Sequence, residues 1–265
     1  MIIAPVGLYS ISVRGFDVPD MLRWAAAHGV PFLHLRGGPR GMHLSAQPTR
    51  TVLAWAKTAA DTVPITGVTA DVDLADLLTG DRSRRQRAAT ELAHLAKAAY
   101  VLGAGWVRLL ARTPLAVRVL AEAAAMPALA GGPMPLLVEL HHPGWLAPGA
   151  FAALTALIDS CPRMRLLADT AQLAAATPTG HATAARLGLL LDRTQVVHLS
   201  DNDAGLDAPG HTLVAALAAD RIITGQRMEV AVEWTGGDRT PAVCLARYRA
   251  AVAWWQQLVF ALEPQ

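Results

Sequence analysis

The sequence alternates short apolar runs with longer Ala- and Leu-rich helical patterns eight times, and few folds accept that rhythm. The runs occupy residues 6–13, 31–35, 63–68, 106–110, 135–140, 164–168, 195–199 and 228–234. None alternates strictly between apolar and polar residues, as expected of strands buried on both faces of a parallel sheet. The first helical pattern, 18–28, has Pro19 near its start and Gly29 just past its end, the asymmetry typical of helix termini. Further patterns span 49–60, 85–102, 114–125, 148–160, 182–191, 212–220 and 241–262. Eight such units in 265 residues predict an α/β fold, a single (β/α)8 TIM barrel over residues 1–265. An open doubly wound sheet is the rival, but no Gly-x-Gly-x-x-Gly turn follows the first run. The Gly131-Gly132-Pro133-Met134-Pro135 stretch between units four and five joins half-barrels as readily as domains.

Composition narrows the function classes. With 53% hydrophobic residues the chain has ample surface to bury, which excludes disorder. Its 23 basic and 21 acidic residues nearly cancel, so nucleic acid is not an expected partner. Cys161 and Cys244 are too few for a disulfide framework or a thiolate zinc site, which points to a reducing, cytoplasmic setting. The Met1-Ile2-Ile3-Ala4-Pro5-Val6 start lacks a basic stretch before its apolar residues and reads as a first buried strand, not a signal peptide. No window of about 18 uninterrupted apolar residues predicts a membrane span.

In a barrel of this type the chemistry lies at the carboxyl ends of the strands. Four polar residues interrupt the apolar runs there: Glu139, Asp169, His198 and Glu233, on runs five to eight and each about 30 residues from the next. Taken singly, each carboxylate is equally well explained as a structural partner of an arginine, and His198 as a satisfied core histidine. Their common spacing predicts convergence, because adjacent parallel strands lie only about 4.8 Å apart. Three carboxylates converging in a desolvated mouth repel one another, and a divalent metal ion (Mn, Mg, Co, Fe or Zn) resolves the conflict.

The ordered set Glu, Asp, His, Glu resembles the xylose isomerase-like TIM barrel superfamily, which includes sugar phosphate isomerases and epimerases. The resemblance extends to the opening 8–13 segment, to Leu102-Gly103-Ala104-Gly105-Trp106-Val107-Arg108, to His198-Leu199-Ser200-Asp201 and to Pro209-Gly210. It implies a metal-dependent isomerase or epimerase of a small sugar-like or hydroxycarbonyl substrate. Glu139, Asp169, His198 and Glu233 would then hold the metal, and Glu139 and Glu233 would exchange the proton through an enediolate. Some positions depart from the sugar-binding pattern: Gln172 stands where a histidine is common, Trp145 where an acid is, and Ala204 where an arginine is. The Pro-Gly-acidic-Gly signature reads Pro209-Gly210-His211-Thr212. A metal-dependent dehydratase or lyase on the same site is therefore an alternative, as is a non-catalytic binding protein on an inherited barrel. The type IV apurinic endonucleases of the superfamily fit less well, for want of their additional metal ligands and of a continuous basic surface.

Expected substrate contacts are His34, Arg36, Arg108, His141, Trp145, Gln172, Asp201 and Trp234. His141 and His142 are adjacent on an extended segment, so at most one faces the pocket. The basic 82–87 cluster reads as a solvated face, and Trp254-Trp255 as barrel packing or the contact of a homodimer.

Overall fold

The computed structural model describes residues 4–123, 126, 129 and 131–263. Eight strands close into a barrel: β1 (Val6–Tyr9), β2 (Leu33–Arg36), β3 (Ile65–Asp73), β4 (Val107–Ala111), β5 (Leu136–Leu140), β6 (Met164–Asp169), β7 (Thr194–Ser200) and β8 (Glu229–Glu233). Each is parallel to its neighbours, and β1 pairs with both β2 and β8. The fold is the single (β/α)8 barrel that the eightfold rhythm predicts.

The connecting helices are α1 (Val18–Ala27), α2 (Thr49–Asp61), α3 (Leu74–Leu78), α4 (Arg82–Val101), α5 (Val117–Ala123), α6 (Pro148–Ser160), α7 (Thr170–Ala174), α8 (Ala184–Leu191), α9 (Pro209–Ile223) and α10 (Pro241–Leu262). Their starts follow local chemistry. The Asp17, Asp73, Asp81 and Asp169 carboxylates accept backbone N–H groups in the first turns of α1, α3, α4 and α7. Proline, which has no N–H to leave unpaired, opens α6, α9 and α10. Pro209 and Gly210 are therefore inside α9 and not ahead of it. Among the described residues no helix is long and apolar enough to cross a membrane.

Two boundaries differ instructively from the sequence reading. The first run ends as strand at Tyr9 and continues as a 3-10 turn over Ser10–Ser12. There the Ser10 hydroxyl accepts the Arg36 N–H, and the Ser12 hydroxyl accepts Trp234 N–H, so side chains replace the ladder. β3 runs beyond residue 68 to Asp73, carrying polar residues up to the barrel mouth. Of the helix expected over 114–125, residues 124 and 125 lie outside the described residues, as do residues 1–3 of the expected first strand.

The apolar core divides into two parts. A large cluster fills the space between strands and helices, and a small one, Trp106, Leu137, Leu167 and Val196, plugs the barrel interior below the mouth. The plug and the ring beside it need room that two glycines supply. A Cβ at Gly67 would collide with the Trp106 ring, and one at Gly7 with the Phe32 ring. Gly67→Ala is accordingly expected to cost about 1–3 kcal/mol of stability. A lowered urea midpoint checks this, and an unchanged one would contradict the packing.

Candidate active site

Glu139, Asp169, His198 and Glu233 all lie at or near the carboxyl ends of β5 to β8. Asp169 and His198 are paired in register, whereas Glu139 stands opposite Leu167 and Glu233 opposite Ser200. The stagger is the shear that barrel closure requires. It brings ligand atoms of Asp169, His198 and Glu233 within 4.8 Å of one another. Glu139 stands outside this group. Its carboxylate is engaged by Arg108 Nε at 2.8 Å and His141 Nε2 at 3.0 Å, ion pairs by distance that lack aligned hydrogen-bond geometry. All but His198 line one cavity of about 210 Å³, together with Tyr9, Arg36 and Gln172.

The group is tightly tied. His198 Nδ1 is 2.8 Å from Glu233 Oε2, and its Nε2 is 2.9 Å from His34 Nδ1. Tyr9 stacks on the His198 ring with centroids 5.0 Å apart, and its hydroxyl is 2.6 Å from Thr69 Oγ1. Asp169 Oδ1 accepts the Gln172 N–H, which commits one carboxylate oxygen to the start of α7.

Burial and mutual repulsion divide the acids. Burial alone would raise Glu139, but the Arg108 guanidinium and His141 hold it down to about 2. Burial, then the Glu139 charge, push Glu233 up to about 8. Asp169 is raised well above the usual carboxylate range by burial, Glu233 and Glu139. His198 is lowered to about 4 by burial. Two carboxylates that resist ionisation, beside an imidazole held neutral, form a donor set that a divalent cation fits. The cation would supply the positive charge that the site lacks, and its oxygen-and-nitrogen donors leave room for substrate oxygens.

The other expected residues divide by position. Arg36, Arg108, His141 and Gln172 line the mouth. Among the described residues the Arg36 guanidinium has no hydrogen-bond or ion-pair partner. Asp201 and Trp234 line a neighbouring cavity of about 250 Å³, where Arg247 lies 3.3 Å over the Trp234 ring. Two residues depart from the expected substrate contact. Trp145 is fully buried, its indole N–H donating to Ala111 O, so it packs the wall behind β4. His34 is equally buried, below the mouth, with both ring nitrogens taken by His198 and Glu229. Sequence reasoning missed Tyr9 and Asp71, which line the mouth, and Glu229 beneath it. A tyrosine ending an apolar strand was the available signal for the first, and Glu229, at the foot of β8, was legible only as a carboxylate inside an apolar run.

A model of the xylose isomerase-like TIM barrel family matches residues 22–221, and the chain belongs to that family. No curated protein matches the sequence. Among solved structures, the fold is similar to D-psicose 3-epimerase from Clostridium cellulolyticum (13% identity, 96% of this chain and 99% of that one, TM-score 0.68). It is similar to a probable 3-DHS dehydratase from Bacillus anthracis (16%, 94% and 98%, 0.65) and to endonuclease IV from Thermus thermophilus (21%, 94% and 99%, 0.63). Three chemistries on one scaffold mean that the residues of the mouth, not the barrel, must distinguish among functions.

The acid pattern carries a signed pH dependence. In the metal-free protein Glu233 keeps a proton that the unfolded chain gives up in the ordinary carboxylate range, so its contribution to stability is complete below that range and lost as pH rises through about 8. The melting midpoint of metal-free protein is expected to fall between about pH 6 and 8 and to level off above that, and Glu233→Gln to flatten that fall. Differential scanning calorimetry with and without chelator checks it, and a level wild-type profile would count against the assignment.

Proposed function

We propose that the protein is a divalent-metal-dependent isomerase or epimerase of a small hydroxycarbonyl compound, with Glu139 and Glu233 as the acid/base pair. The observation that carries this reading is the arrangement of the two glutamates. They come from the outer strands of the β5–β8 arc, face one small cavity and flank Asp169 and His198. Asp169, His198 and Glu233 would hold the metal, which supplies Lewis-acid polarisation of a carbonyl when bound. Glu139, kept ionised by Arg108 and His141, removes the proton next to that carbonyl. A substrate oxygen that draws the Arg108 or His141 donors to itself loosens their hold on Glu139 and raises its proton affinity toward the working pH. Glu233 takes up a solvent proton on the carboxylate oxygen turned away from the metal and delivers it from the other side, while the proton on Glu139 passes to solvent.

The substrate is small, given a cavity of about 210 Å³. The unpaired Arg36 adds a preference for an anionic substituent. The same arginine favours one second reading, a metal-dependent dehydratase acting on a hydroxy acid, which would use the same proton abstraction but expel water.

Small polyols and ketoacids incubated in deuterium oxide with each divalent metal test both readings. Metal-dependent deuterium uptake into recovered substrate supports the isomerase or epimerase, and an unsaturated product supports the dehydratase. Glu139→Gln and Glu233→Gln are each expected to lower turnover on the order of 10²–10⁴-fold. Exchange that survives both chelation and these substitutions would overturn the proposal. Arg36→Met is expected to raise KM about 10-fold for anionic substrates and to leave neutral ones unchanged, as steady-state kinetics on matched pairs would report.

A further inference from the structure

Beneath the mouth, a chain of side chains crosses the barrel interior from the start of β8 to its end: Glu229, His34, His198 and Glu233. His34 Nε2 is 2.9 Å from Glu229 Oε2, His34 Nδ1 is 2.9 Å from His198 Nε2, and His198 Nδ1 is 2.8 Å from Glu233 Oε2. We infer that Glu229 and His34 are a positioning pair that fixes the tautomer of His198, leaving its Nδ1 lone pair to face Asp169 and Glu233 as a metal ligand.

The directions of the hydrogen bonds follow from the donor inventory. Glu229 Oε2 also receives Thr66 Oγ1 at 2.9 Å and Trp106 Nε1 at 3.2 Å. An indole N–H only donates and a carboxylate only accepts, so His34 must donate from Nε2. A neutral imidazole carries one N–H, so His34 Nδ1 accepts, and His198 must donate to it from Nε2. His198 Nδ1 then carries no hydrogen, and it is the ring nitrogen 2.8 Å from Glu233 Oε2, turned away from His34. Packing prevents His34 from escaping the constraint by a ring flip. It is fully buried, with Trp106 edge-on at 4.7 Å between centroids, Phe32 at 5.3 Å and the His198 ring stacked at 5.2 Å. An outer carboxylate acting on a ligand through a second histidine orients the ligand ring and makes its bare nitrogen a better donor. His34 therefore acts through His198 and not on substrate.

This inference rests on the metal reading above, and the test separates the two. Long-range ¹H–¹⁵N correlation on protein with ¹⁵N-labelled histidine reads tautomers directly in the unaltered, metal-free chain. The expected result is an Nε2–H on both His34 and His198, with the His198 Nδ1 resonance moving when Zn²⁺ is added. Zn²⁺ affinity, by competition with a chromophoric chelator, is expected to fall on the order of 10- to 100-fold in Glu229→Gln and His34→Gln. In Glu229→Gln the His198 signal is expected to split between tautomers, which a purely structural role for Glu229 would not produce. An Nδ1–H on either ring, a Zn²⁺ shift at Nε2 of His198, or wild-type Zn²⁺ affinity in a folded Glu229→Gln protein would overturn the positioning role alone. Absence of any Zn²⁺-dependent shift in the unaltered protein would overturn the metal reading with it. The spectrum of the unaltered chain decides even if both variants fail to fold.

Discussion

The arrangement of the mouth depends on the ion pair between Arg108 and Glu139. Arg108 is almost wholly buried, and its guanidinium donates to Ala70 O at 2.8 Å while its Nε meets Glu139 at 2.8 Å. Removing one member of such a pair strands the other charge in the interior, at a cost of about 3–5 kcal/mol. The pair also settles the charge demand of its neighbours. With Glu139 balanced by Arg108, the ionised forms of Asp169 and Glu233 leave two negative charges, which one divalent cation matches and one monovalent cation does not.

The layers below make that charge arrangement rigid. Trp106, Leu137, Leu167 and Val196 fill the barrel interior beneath the acids. The same Trp106 donates its indole N–H to Glu229 and presents its ring edge to His34. One side chain thus both fills the interior and holds the polar pair beneath the site. Gly7 and Gly67 belong to this logic, since the space they leave is occupied by the two rings that contact His34.

The barrel was legible because its signal is repeated eight times and each repeat is a local pattern of apolar residues. The four residues on β5 to β8 were legible for the same reason: a polar or charged residue inside a buried run is conspicuous, and four spaced by about one strand–helix unit mark the same end of the barrel. What spacing does not convey is pairwise geometry. Glu139 stands outside the Asp169, His198 and Glu233 group and is ion-paired with an arginine on β4, which no reading of β5 alone contains. His34 reads as a pocket residue because it is a polar residue in the second apolar run, and Trp145 because it stands where the family pattern has an acid. His34 points into the interior, and the Trp145 indole finds its acceptor in the backbone of β4. Glu229 was overlooked because it begins its strand, where barrel chemistry is not expected, although its neighbours connect it to the mouth.

The loop at 131–133, which the sequence marks only as glycine- and proline-rich, divides the site by sign. Arg36, Arg40 and Arg108 precede it together with Asp71, which Arg40 pairs, and Glu139, Asp169, Glu229 and Glu233 all follow it. Barrel closure therefore brings a half with an excess of cationic side chains against an acidic half. A ribosome releases the chain from its N-terminus, and N-terminal segments fold first. The arginines are thus available before Glu139, Asp169 or Glu233 emerges, and the order of synthesis spares those three acids from being brought together without a counter-charge.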